Sequence, residues 1–374
     1  MGRAASLAVA IALVGCAKPR PVVFGEQMPA SCNGVVDVEQ CAGWLIDRIL
    51  TMSQGAYIDD DIAAYVSGVG DRLVRAQGDR RRWTFLVTDD HAVQAYAGLS
   101  TTVFINRGAL ALLRDEAELA AVLGHEMAHV LGGHLHENYR DILQGSVGRS
   151  SESERHANRY ARDDEIQADE VAVLLLAKAG YDTRGAERML RALAATSPDD
   201  GEQDTEHHPR WIERIARVQM LAAAHLGGET GADRFRSRIA QLVIGADPRR
   251  ASIVGNAAVF AHSNVAIDLP PHVTAEVDGA DVTIQIDATS GFGVRSIDPR
   301  LARALASRLE ETPDASLVII ERPRISLMIA IVGPDARLVA KRVKQSVRTP
   351  RPDELRAIRP TRIDLAAPRL LWHP

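Results

Sequence analysis

The residues best suited to do chemistry are His125-Glu126-Met127-Ala128-His129. On a helix, histidines four apart share one face at about 6 Å, so both imidazoles can reach one metal ion while Glu126 projects beside them toward a bound water. Zinc suits two imidazoles, and a catalytic zinc takes three protein ligands and keeps one position open. The pair therefore asks for a third ligand. One class of zinc site takes a histidine six residues after the second; Gly132 fits that class, but position 135 is Leu, and His134 and His136 miss it on either side. The other source is a carboxylate from a second helix. Asp163-Asp164-Glu165-Ile166-Gln167-Ala168-Asp169 offers Glu165 as that ligand, with Asp169 four residues on to orient a ligand histidine from behind.

These residues need helices to carry them. Asp115 can cap a helix, Glu118 stands three residues on, and Leu119, Val122, Leu123, Val130 and Leu131 continue at helical spacing. The acidic start at Asp163 suits a second helix, whose apolar Val171, Leu174, Leu175 and Ala179 run to a stop at Gly180. Before both, Trp83, Phe85 and Val87, then Val103 and Ile105, alternate as short strands of a small antiparallel sheet. A sheet edge beside a metal helix could pair with extended substrate backbone. Pro209 suits the first turn of a helix Arg210 to Ala224. After the Gly227-Gly228 break and a helix Asp233 to Ile244 the character changes. Segments 252–261, 265–269, 273–277 and 281–286 read as strands, Pro299 to Glu311 as a helix, Ser316 to Glu321 and Ile325 to Val332 as strands, and Asp335 to Gln345 as a helix. The expected class is α+β: a mainly helical domain over 58–245 with a small sheet, then a smaller α+β domain over 250–374.

The whole chain sets bounds on this. Its 374 residues are 46% hydrophobic, which fits globular domains with real cores, and only 4% aromatic, so Ala, Leu, Val and Ile must fill those cores. A formal charge of -5 argues against a nucleic-acid binder. From Asp335 to Pro374 there are nevertheless ten Lys or Arg against four Asp or Glu, which suits either a solvated face or contact with an anionic surface. Three cysteines exclude a disulfide scaffold. The apolar run Ala4 to Gly15 is too short to span a bilayer. It follows Arg3 and ends in Leu13-Val14-Gly15-Cys16, which resembles the lipobox of bacterial lipoproteins. That likeness implies a leader over 1–15, acyl chains on Cys16, and, from Ala17, an outer-membrane destination facing the periplasm. Residues 17–31, with Pro19, Pro21 and Pro29, read as a tether within a lead-in over 16–57. Cys32 and Cys41 are left as an expected disulfide.

His125-Glu126-x-x-His129 with Glu165-x-x-Ala168-Asp169 resembles the gluzincin metallopeptidases that include HtpX, the CAAX prenyl protease and the mitochondrial OMA protease, with bacterial periplasmic lipoprotein members such as BepA and LoiP. Gln94-Ala95-Tyr96-Ala97, Phe104-Ile105-Asn106-Arg107-Gly108-Ala109-Leu110, Glu118-Leu119-Ala120-Ala121-Val122-Leu123, Ala179-Gly180-Tyr181-Asp182 and His208-Pro209 with Arg214 extend the likeness over about 58–245. Two departures stand out: Gln94 replaces the usual Asn, and the stretch from His129 to Glu165 is short and polar. The resemblance implies one Zn2+ held by His125, His129 and Glu165, with Glu126 as general base and Asp169 behind the ligands. It favours His208 and Arg214 as catalytic donors to the oxyanion, His208 alternatively as a plug on the open zinc position. His207, His134 and His136 are expected only as solvent-facing or supporting residues. The implied activity is a lipid-anchored zinc metalloendopeptidase acting on misfolded or assembling envelope proteins; the alternative is an assembly factor or chaperone-like protein with a relic site. Val259-Phe260-Ala261-His262 and the preceding Gly245-Ala246-Asp247-Pro248 resemble the accessory domain of some lipoprotein members and bring no catalytic role.

Overall fold

The computed structural model describes residues 55–98, 100–134, 162–196, 211–271, 273–278, 281–285, 291–297, 314–323 and 325–365. Cys16, Cys32, Cys41, His136, His207, His208 and the expected helix 299–311 lie outside them. The chain divides into two compact units that part between Gly245 and Ala246, and Arg362 onward rejoins the first.

In the first unit, α1 (Asp60–Gln77) starts where the Asp59 carboxylate accepts from the Ile62 amide at 3.0 Å and stops at left-handed Gly78. Strands β1 (Thr84–Thr88), β2 (Ala95–Ala97) and β3 (Thr102–Asn106) follow in spatial order β1-β3-β2. The sheet is mixed and not antiparallel throughout: β2 and β3 pair antiparallel, but β3 then lies parallel to β1, Phe85 beside Val103 and Val87 beside Ile105. The cause is β2, which runs back between the two in sequence and then stands outside them in space, so that β3 re-enters in the direction of β1. Next come α2 (Arg107–Leu112), α3 (Glu116–Gly132), α4 (Arg162–Ala179), α5 (Arg184–Thr196), α6 (Trp211–Ala223) and α7 (Ala232–Ile239).

Helix α3 is the axis of this unit, buried from Glu116 to His129 and packed on α4, α5 and β2. Ala117, Ala120, Ala121 and Gly124 let the neighbours approach closely; a side chain added at Gly185 of α5 would meet the Ala117 backbone at 2.7 Å. Asp115 caps α3 by accepting from the Glu118 amide at 2.8 Å, and Glu118 reaches back to the Arg114 amide at 2.7 Å, one residue before the cap. Glu116, 3% exposed, collects Tyr65 Oη at 2.8 Å, Tyr181 Oη at 2.9 Å, and Arg234 Nε and Nη2 at 2.6 and 2.7 Å. One carboxylate thus fastens the start of α3 to α1, to the turn before α5 and to α7. Behind the sheet, Arg107 donates to Asp89 at 2.7 Å and to the Val243 carbonyl at 2.8 Å.

The C-terminal segment differs from expectation in its allegiance. Ile363 is 7% exposed within the first unit's core and donates its amide to the Leu242 carbonyl at 2.9 Å, so Arg362–Leu365 do not join the second unit.

The second unit carries two sheets. β7 (Thr274–Asp278), β8 (Asp281–Gln285), β9 (Gly291–Ile297), β10 (Ala315–Ile320) and β11 (Ser326–Val332) pair antiparallel in the order β10-β11-β9-β8-β7. The others, β4 (Ser252–Val254), β5 (Ala257–Phe260), β6 (Val265–Asp268) and β12 (Val347–Arg348), form an antiparallel set ordered β12-β6-β5-β4. The segment expected as one strand, 252–261, is a hairpin because Gly255 at φ 59 turns the chain. Strand β9 was not anticipated. Helix α8 (Ala336–Ser346) buries Ala336, Ala340 and Val343 against the sheets, and α9 (Pro352–Ala357) closes the unit. No helix among the described residues is long and apolar enough to cross a membrane.

Candidate metal centre

Helices α3 and α4 lie side by side, and their i, i+4 pairs face each other. His125 and His129 bring their Nε2 atoms to 3.1 Å. Across from them the Glu165 carboxylate stands 3.6 Å from each of these nitrogens. These three residues are buried and offer donor atoms all within 4.8 Å of one another. Two imidazole nitrogens and a carboxylate oxygen converging on one point are a donor set that can hold a divalent metal ion.

Behind the donors, Asp169 Oδ1 lies 2.9 Å from His125 Nδ1, which leaves the Nε2 lone pair facing the centre. Burial and Asp169 work against each other at His125: burial opposes its charge, but the carboxylates of Asp169, Glu165 and Glu126 outweigh that and push its pKa up. His129 is driven the other way, by burial and by the neighbouring imidazoles and Arg214, and stays neutral. Neutral imidazole is the form that ligates metal.

Arg214 of α6 is where the sequence reading and the geometry part. Expected as a donor to an oxyanion, its guanidinium is 7% exposed and engaged by carboxylates: Nε and Nη2 with Asp169 at 2.7 and 2.8 Å, Nη1 with Glu165 at 2.8 Å. This fork opposes the burial of Asp169 and holds its carboxyl down at about 2. The three helices are therefore locked by one buried ionic cluster.

Glu126 projects into the same space. It is 7% exposed, Oε2 has no hydrogen-bond partner among the described residues, and burial pushes its carboxyl up to about 7 despite His125 and the hydrogen bond from the Ala97 amide. An orphaned buried carboxylate oxygen beside a converging donor set is the arrangement expected of a base that works on a bound water. Ala97 belongs to β2, the edge strand. Gln94 accepts from the Asn106 amide and Gly98 donates to Thr102, so the alternation of an antiparallel pair turns the amides and carbonyls of Ala95 and Ala97 away from β3, toward the open edge.

Two participants, Ala97 and Gln167, escaped sequence reasoning. Ala97 acts through its backbone, which no side-chain motif reveals. Gln167 and His134 contact each other at 2.6 Å, and His134 also reaches His129, Nδ1 to Nδ1, at 3.0 Å. His134, expected as solvent-facing or supporting, is 7% exposed and does not face solvent. The available signal was Gly132-Gly133: a left-handed Gly133 ends α3 and turns the next residue back on the helix.

Comparison with known proteins agrees with this geometry. Residues 61–145 and 142–222 match the model of peptidase family M48. The chain is 26% identical over 185 residues to a putative beta-barrel assembly-enhancing protease of Vibrio cholerae, covering 42% of this chain and 38% of that protein. It is 26% identical over 176 residues to the mitochondrial metalloendopeptidase OMA1 of Arabidopsis thaliana, covering 41% of this chain and 36% of that protein. The metalloprotease YcaL of Escherichia coli is 27% identical over 192 residues, covering 44% of this chain and 74% of that protein. The likeness spans well under half the length of the first two, and in this chain it falls on the unit that carries the metal centre. The match to peptidase family M48 runs through residues 61–222, which carry the helices and the edge strand that assemble this centre.

Proposed function

We propose that the chain is a zinc-dependent metalloendopeptidase whose ligands are His125, His129 and Glu165. The observation that carries this reading is the convergence of those three donors beside an unpartnered, buried Glu126. Zinc bound there would polarise a substrate carbonyl and lower the pKa of a bound water to near 7. Glu126 takes the water's proton, and burial gives it the raised affinity to keep that proton until the leaving amine needs it. Asp169 orients His125, and Arg214 neutralises Asp169 and Glu165 together. The outward amide of Ala95 and the outward carbonyls of Ala95 and Ala97 on β2 offer hydrogen bonds to an extended peptide whatever its side chains, which favours unfolded segments as substrates. His208 is proposed as the oxyanion donor or as a plug on the open position, since Arg214 is committed elsewhere.

The names of the Vibrio relative and the lipobox-like Leu13-Val14-Gly15-Cys16 support a finer reading. In it, the protein is lipid-anchored through Cys16 in a bacterial envelope, outer membrane and periplasmic side, and cleaves misfolded or assembling envelope proteins. The test is metal analysis together with proteolysis of an unfolded protein such as casein by wild type and Glu126→Gln. Bound zinc in both, with cleavage by the wild type only, is the expected result; equal cleavage by both sinks the proposed base.

A further inference from the structure

We propose that His134 is the positioning residue of the zinc ligand His129, counterpart to Asp169 behind His125; this rests on the metal-centre reading above. Both ligand histidines present Nε2 to the centre, so each must carry its proton on Nδ1 and needs an acceptor there. For His125 the acceptor is Asp169 at 2.9 Å. For His129 it is not a carboxylate but His134 Nδ1 at 3.0 Å. With Nδ1 accepting, His134 holds its own proton on Nε2, which donates to the Gln167 side-chain carbonyl at 2.6 Å, with Asp164 at 3.6 Å beside it. The series runs from a ligand on α3, through the residue after its cap, to the helix that carries Glu165.

The backbone is built for this contact. Gly133 at φ 73 reverses the chain at the end of α3, and Gly132 leaves the space that the ring of His134 fills: a Cβ there would stand 2.3 Å from His134 Nε2. An imidazole behind one ligand and a carboxylate behind the other make the two supports chemically unequal.

The test uses the full chain stripped of metal and titrated with zinc against a chromophoric chelator, with the cobalt(II) absorption spectrum as a second readout. His134→Ala and His134→Phe should bind zinc about 10- to 100-fold more weakly, the usual cost of losing a ligand's supporting partner, and shift the cobalt spectrum. His134→Asn, whose Oδ1 can stand near the Nδ1 position, should restore most of that affinity. Gly132→Ala leaves every side chain of the series in the sequence but evicts the ring; it should weaken zinc as His134→Ala does while the metal-free chain melts no lower, since Ala is the better helix former. Unchanged zinc affinity and an unchanged spectrum in His134→Ala and Gly132→Ala overturn the proposal. A wild type that binds no zinc overturns the metal-centre reading itself, and this proposal with it.

Discussion

Arg214 shows how a residue can be found by sequence while its contacts stay hidden. Its type and place after His208-Pro209 were legible, but its task was not, because an arginine that stabilises an oxyanion and one that neutralises buried carboxylates look alike until their distances are known. Here the fork faces Asp169 and Glu165. Arg214→Met should leave two buried carboxylates uncompensated and lower the stability of the unit by about 3–5 kcal/mol in denaturant titration. Arg214→Lys, keeping the charge but losing the fork, should cost less. For Glu126 the expectation is different in kind: Glu126→Gln should lower cleavage by about 10²- to 10⁴-fold or more with zinc content unchanged. The convergence of His125, His129 and Glu165 was readable because His125 with His129 and Glu165 with Asp169 are both i, i+4 pairs, and helical periodicity alone puts each pair on one face. His134 stands five residues beyond His129 and has no such periodic signature; it enters the site only because the helix ends.

Elements decide how close those faces come. The contact between α3 and α5 depends on Gly185, and Gly185→Ala should destabilise the unit by about 1–3 kcal/mol, because backbone and not a flexible side chain stands at 2.7 Å. A thermal melt of the variant at fixed zinc would show it. The edge strand offers a second test. Ala95 directs its amide toward the open side of β2, so Ala95→Pro should remove a donor to substrate without touching the zinc ligands. The kcat/KM for an extended peptide should fall about tenfold, near the net worth of one hydrogen bond, while zinc affinity stays constant. Alternation in Phe85, Val87, Val103 and Ile105 was enough to find strands, but it carries no sign for parallel against antiparallel. That sign is set by where β2 lies, and three residues of β2 say little about their place in space.

At the scale of the whole molecule, stability also depends on pH through buried carboxylates. In the second unit, Asp247 is buried with Arg249 at 2.7 Å and His262 at 3.2 Å, and despite burial these partners hold its carboxyl well below the usual range. A depressed carboxyl stabilises the fold above its unfolded pKa of about 4, and that stability is lost as pH falls below this value toward the folded one. Acid unfolding followed by circular dichroism should therefore show a transition below about pH 4 that Asp247→Asn weakens, the variant being less stable at neutral pH already. The boundary near Gly245 was legible as a change from helical to alternating pattern. The return of Ile363 to the first unit was not, since one apolar residue in a basic stretch has no period to reveal where it packs.

Glu116 adds a consequence in time. The last of the three proposed metal ligands in the chain is Glu165, yet the start of α3 is fastened to Arg234, 118 residues along, and the Val243 amide donates to the Tyr57 hydroxyl across 186. A chain emerging from the ribosome therefore carries all three proposed ligands long before it can close the clasp that steadies the helix bearing two of them. The proposed metal centre gains its full frame only when residues from Arg234 onward arrive, so an unfinished or clipped copy holds the donor residues in its sequence but not the frame that aims them.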